Sequence, residues 1–286
     1  MSDDLAEPMS MTSLRPARRF DWNNLAKRAA SAAVLIPAVL AAIFLGWVFL
    51  VVIAISVALL AVEWSSMSLA KARARGATVL TVFVLAALFA AYLHHFAWAW
   101  GLVGLGAFAA GWFAYFMAER PGDAAFGVVY IAAPCLALTW LRAMPNPIGW
   151  TILLFAITWS ADIFAYAVGN GLKGPKLWPS LSPNKTWSGL IGGLLGAMAT
   201  AMAVAASPYS TARLSLGAAA VIGLAGGVAT MAGDLCESML KRRFGVKDSG
   251  DLIPGHGGLL DRVDGLLFAV LAVAGARLVY ESGWAR

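Results

Sequence analysis

Hydrophobic residues along this chain come in long blocks and not in strand-like alternation. From Ala29 to Val62 there is no charged residue. As one helix that block would run about 51 Å, against a hydrocarbon core of about 30 Å, so it predicts two spans with a tight turn near Gly46 and Trp47. Comparable apolar blocks follow. The pattern predicts nine transmembrane helices, at roughly 29–46, 47–64, 77–97, 100–118, 124–142, 149–169, 189–206, 214–235 and 265–281. The expected fold class is all-α, a polytopic integral membrane protein with a polar cavity facing the cytoplasm. Its expected parts are a disordered basic arm over 1–28, five spans within 29–145, and four spans within 146–286. The last group carries the chemistry, with cytoplasmic loops 170–188 and 236–264.

Composition agrees: 60% of residues are hydrophobic, where soluble domains have about 45–50%. Residues 1–28 are polar and the apolar run behind them is too long for a cleavable signal peptide. The net charge of +6 would suit nucleic acid, but its distribution argues against that partner. With the N-terminus in the cytoplasm, every Lys and Arg except Arg142, Arg213, Arg277 and Arg286 falls on the cytoplasmic side. Cys135 and Cys236 are far apart and lack neighbours at ligand spacing, so neither a disulfide nor a zinc site is expected.

A few polar features interrupt the apolar blocks. Glu63 ends the second predicted span beside Trp64; it reads either as a functional intramembrane acid or as an interfacial carboxylate. His94 and His95 lie among aromatic residues and read as an interfacial belt. Gly189/Gly193, Gly192/Gly196 and Gly223/Gly227 are small-xxx-small spacings that allow the seventh and eighth spans to pack closely. Such packing would bring loops 170–188 and 236–264 together. Asp162 sits about 10 Å inside the sixth span, where a carboxylate costs roughly 2.5–3.5 kcal/mol. It is expected to face a polar cavity, or else to hydrogen-bond locally.

The string Gly169 to Gly174 matches G-x-G-x-x-G but follows a membrane helix and not a strand, so the dinucleotide reading fails. Ser182, Lys185 and Thr186 then open the seventh span. Hydroxyls, a lysine and free helix N–H groups suit phosphate, and an ordinary capped helix start suits the same residues equally well. The densest charge lies from Gly233 to Gly265. Asp234 ends one span; Asp261 and Asp264 begin the next. Carboxylates at facing helix ends suit a hard cation such as Mg²⁺, with Lys241, Arg242, Lys247 and Arg262 available for phosphate charge. A network of cytoplasmic salt bridges is the alternative. His256, between glycines, could donate to phosphate or move a proton. No Ser-His-Asp or Cys-His pairing favours covalent catalysis.

The 27 positions from Ser238 to Asp264 resemble, without a mismatch, the signature of bacterial phosphatidate cytidylyltransferases, also called CDP-diacylglycerol synthases. Asp162 to Tyr166 and Ser182 to Thr186 resemble that family as well. The first five spans resemble it only in being hydrophobic. Ser188 stands where many members have Glu, and Asn170 and Gly171 stand where a basic residue is expected. The resemblance implies an enzyme of the bacterial inner membrane that converts CTP and phosphatidic acid into CDP-diacylglycerol and pyrophosphate. It implies a second, monovalent cation such as K⁺ and a homodimer. On this reading Asp234 and Asp261 hold Mg²⁺ with Asp264 in support, and Lys247 and His256 assist catalysis. Ser182, Lys185, Thr186, Lys241, Arg242, Lys247 and Arg262 bind the substrate phosphates, and Asp162 lines the lipid entrance. A CTP-dependent lipid kinase and a secondary anion transporter are the alternatives.

Overall fold

In the computed structural model, residues 37–207, 214–250 and 257–283 are described. Residues 37–44 are helical and break at Leu45, whose backbone is extended. This is the turn expected near Gly46 and Trp47. The remainder of the first predicted span and the arm over 1–28 lie outside the described residues.

Eight helices among the described residues are long and apolar enough to cross a membrane. They are α1 (Gly46–Ser68), α2 (Arg73–Tyr92), α3 (Phe96–Phe116), α4 (Pro121–Ala143), α5 (Pro147–Leu172), α6 (Trp187–Ala206), α7 (Leu216–Phe244) and α8 (Leu260–Glu281). The fold is all-α and multi-pass. Among the described residues a two-stranded antiparallel sheet is added: β1 (Lys176–Trp178) pairs with β2 (Ser182–Thr186). No hydropathy pattern announces it, because three and five residues are too few to show a period.

Helix ends differ from the predicted spans where charge begins. The eight-residue segment after Cys236 continues the helix α7 to Phe244, since a backbone ladder has no need of apolar side chains. Glu237 and Lys241 support it as an i,i+4 pair at 2.6 Å. Gly245, at φ 71°, ends it in the left-handed conformation, with its N–H and that of Val246 donating to Arg242 and Lys241. Loop 236–264 therefore contracts to the stretch between Gly245 and Leu259.

Helices α1–α4 share one buried core, to which α7 and α8 add Leu240, Leu260 and Leu267. Helices α5–α8 share a second around Ile157, Ala197 and Val273. The glycines set this second packing. A Cβ at Gly193 would come within 2.8 Å of the Ala161 carbonyl on α5, and one at Gly223 within 2.8 Å of the Ala197 carbonyl on α6. The glycines of α6 thus accommodate α5, while those of α7 accommodate α6. The bundle end bearing the hairpin and the start of α8 is where the charged residues collect.

Candidate active site

A cavity of about 650 Å³ opens between α5, the hairpin, α6 and α7. Its volume is within the range of small-molecule sites. Asp162 and Tyr166 reach it from α5, Lys176 and Lys185 from the hairpin, and Asp234 from α7. Lys185 Nζ lies 2.5 Å from Asp234 Oδ2. Asp264 joins this group because α7 and α8 meet backbone to backbone: a Cβ on Gly233 would strike the main chain of Asp264 and Gly265. The three carboxylates repel one another, and Lys185 is their shared cation.

A second charged cluster stands beside the first. Lys241 Nζ bridges Glu237 at 2.6 Å and Asp261 at 2.8 Å. Asp261 Oδ2 also accepts from the N–H groups of Ser249 and Gly258, each at 3.1 Å, and lies 3.1 Å from the Ser249 hydroxyl. Glu63, buried on α1, accepts from the N–H groups of Leu259 and Leu260. It does not line the cavity; it is the acceptor for the start of α8.

The two clusters change the expected roles. Asp234 and Asp261, the predicted metal pair, are drawn to different lysines, Lys185 and Lys241. Asp261 and Asp264 share one face of α8 by spacing, yet they serve different clusters. Among the described residues no three His, Cys, Asp or Glu side chains converge as a ready ligand shell. The charge balance around Lys185 nevertheless suits a hard cation, with oxygen donors from Asp234 and Asp264 and Asp162 nearby.

Two N–H groups at the helix start after Thr186 already have partners within the protein. Thr186 Oγ1 accepts from the Gly189 N–H at 3.1 Å, and the Trp187 N–H donates to Pro175 at 3.1 Å. Ser182 begins β2, at the other end of that strand from the Thr186 cap. Ser188 bonds Thr186 and the Lys173 carbonyl, closing the hairpin onto α6. Arg242, Lys247 and Arg262 are exposed and do not line the cavity. His256 lies outside the described residues. Sequence reasoning assigned no role to Asn184, which lines the cavity, or to Glu237 and Ser249, which hold Lys241 and Asp261. Glu237 was legible only as the i,i+4 partner of Lys241.

Fold and site define a multi-pass membrane protein with a charged cavity at one end of its bundle. The chain belongs to the cytidylyltransferase family, whose model matches residues 26–279. It is 44% identical over 164 residues to a phosphatidate cytidylyltransferase of Brucella abortus, an alignment covering 57% of each chain. It is 42% identical over 150 residues to one from Rickettsia bellii, covering 49% of this chain and 63% of the relative. With that of Pseudomonas aeruginosa the identity is 39% over 162 residues, 55% of this chain and 57% of the relative. The chain thus spans less than two thirds of the length of these curated relatives.

Proposed function

We propose that this protein transfers the cytidylyl group of CTP to phosphatidic acid, giving CDP-diacylglycerol and pyrophosphate. The observation that carries the reading is the cavity in which Lys185 and Asp234 meet. It pairs cationic and carboxylate groups beside α5, whose Ile163, Phe164 and Tyr166 are exposed. A lipid phosphate held against that helix would lie next to the hairpin lysines. The relatives' names supply the nucleotide and the lipid.

A phosphate monoester is already largely ionised near neutral pH, with its second pKa about 6. Its oxygen attacks the CTP α-phosphorus, the bond to the bridging oxygen breaks, and pyrophosphate leaves with the electron pair. No general base is required. The protein's work is to hold two polyanions together and to oppose their charge. Lys176 and Lys185 are suited to phosphate oxygens in the cavity, and Arg242, Lys247 and Arg262 to those outside it. A bound Mg²⁺ would lower the charge on the transferring phosphate. Asp234 and Asp264 would hold it, and Asp261 would join once polyphosphate draws Lys241 away from its Oδ1. A monovalent cation and a homodimer belong to the same proposal. So does an inner-membrane placement with the charged bundle end in the cytoplasm; the distribution of Lys and Arg supports it.

The test uses the full chain in mixed micelles with phosphatidate, Mg²⁺ and CTP labelled on cytosine or on the γ-phosphate. Cytosine label in the lipid phase, with γ-label released as pyrophosphate, is the expected result. γ-Label in lipid would mean a lipid kinase. Neither label in lipid would overturn transfer altogether and turn attention to anion transport.

A further inference from the structure

We propose that Glu63, far from the cavity in sequence, is a positioning residue for the stretch that leads into α8. The catalytic part of this inference rests on the activity proposed above.

The carboxylate is 2% exposed. Its Oε1 accepts from the Leu259 N–H at 2.6 Å, and its Oε2 from the Leu260 N–H at 2.7 Å. Those are N–H groups at a helix start, which no residue within the helix can satisfy. The cap position itself, Leu259, offers no side-chain acceptor. Glu63 therefore supplies, from 196 positions away in the chain, the anion that the positive end of α8 favours.

The contact extends along the backbone before α8. A Cβ on Gly258 would overlap the Ser249 hydroxyl and lie 3.0 Å from both Glu63 oxygens, and one on Gly250 would lie 3.3 Å from its Cγ. Both segments run so close over the carboxylate that a side chain would displace them. Ser249, buried between the clusters, has its hydroxyl 3.2 Å from Glu63 Oε2 and 3.1 Å from Asp261 Oδ2. Its single hydroxyl proton can satisfy only one of these at a time. The Ser249 and Gly258 N–H groups already serve Asp261, which leaves the hydroxyl available to Glu63. The same backbone thus binds Glu63 on one side and Asp261 on the other. Moving it off Glu63 removes donors from Asp261 and loosens the Asp261–Lys241 pair. The N-terminal helices hence contribute one acceptor to the charged end of the C-terminal helices.

The experiment compares wild type with Glu63→Gln in the full chain in detergent micelles, reading amide hydrogen exchange and steady-state kinetics together. Gln keeps the size but turns one acceptor into a donor facing an N–H. The expected result is faster exchange at Leu259 and Leu260 by roughly 10- to 100-fold, with α5 and α6 unchanged. kcat falls by roughly 10- to 100-fold while KM for CTP changes little. Should Glu63→Gln not fold, Gly258→Ala disturbs the same contact from the other side and is expected to give the same local pattern. Unchanged exchange at Leu259 and Leu260 would overturn the proposal. So would faster exchange throughout the bundle with activity tracking only the folded fraction, or a local increase with kcat intact. If wild type transferred no cytidylyl group, the proposed activity would fall, and the exchange measurement would still decide whether Glu63 holds this backbone.

Discussion

Lys185, on β2, closes on Asp234, on α7, at 2.5 Å. The pair ties the hairpin to α7. It also leaves Asp162 and Asp264 facing the same lysine. Polyphosphate and a divalent cation would compete for the two partners separately, the one for Lys185 and the other for Asp234. Lys185→Ala is expected to lower kcat/KM for CTP by about 10²–10³-fold, the range for loss of one group that stabilises transition-state charge. Asp234→Asn is expected to act on the same step. The double variant should then be far less damaging than the product of the single effects. Multiplicative losses in steady-state assays would show that the two residues act independently.

Lys241 is a stability residue as much as a phosphate candidate. It bonds Glu237 and Asp261, and the Glu237 side chain is only 2% exposed. Among the described residues no donor reaches Glu237 Oε1. Lys241→Met would leave two neighbouring carboxylates without their cation, a loss of about 3–5 kcal/mol for a broken buried pair. Adding Glu237→Gln should return part of that loss by removing one charge. Thermal unfolding of the full chain in detergent checks both. A Lys241→Met melting temperature equal to wild type would show that the cluster contributes nothing to stability.

The sequence carried the apolar blocks because membrane insertion acts on local composition, and each block is long enough to state its own helix. Eight of the predicted spans recur as helices to within a few residues, except where helix and apolarity part company. α7 runs on through Glu237, Lys241 and Arg242 because hydrogen bonding and an i,i+4 ion pair sustain it beyond the apolar limit. The hairpin was not legible, since Lys176–Trp178 and Ser182–Thr186 have no alternation to betray a strand. Asp162, Lys185 and Asp234 were legible as candidates from their chemistry, and the structure gathers them at one cavity. The partners of Asp261 were not, because a bond such as Glu63 to Leu259 depends on how α1 stands against α8. No spacing along the chain encodes that.

The packing of α4 against α1 gives a sharper steric test. Gly127 lies directly beneath the Trp64 indole, so a Cβ there would overlap the ring. Trp64 is buried and donates its indole N–H to Asp123 at 3.0 Å, and its ring contacts Phe126, Tyr130 and Phe244. It has nowhere to retreat. Gly127→Ala is expected to destabilise the protein by about 1–3 kcal/mol, the usual range for overpacking. Gly104→Ala, on the neighbouring α3 with nothing within 4 Å of the added carbon, is the control. It is expected to be neutral or stabilising by up to about 1 kcal/mol. Equal melting temperatures for the two variants would mean that the Trp64 contact does not restrain α4.

At the opposite end of the bundle, Arg277 is 1% exposed in α8. Its guanidinium donates to the Leu141 carbonyl at 3.3 Å, the Pro145 carbonyl at 2.6 Å and Glu281 at 2.8 Å. It also lies over the Trp140 and Trp150 rings, with Trp150 at 5.1 Å. The α4–α5 turn leaves carbonyls without helical partners, and the planar fork answers two of them at once. Arg277→Ala would leave those carbonyls unpaired in a buried site, costing about 1–3 kcal/mol for each. Arg277→Lys is expected to recover little, because a single ammonium cannot match the fork and stack on indole together. Unfolding in detergent measures the loss. Turnover per folded molecule should be unchanged for either variant, since Arg277 touches neither charged cluster. A fall in kcat without a fall in melting temperature would instead show that this clasp communicates with the site through α8.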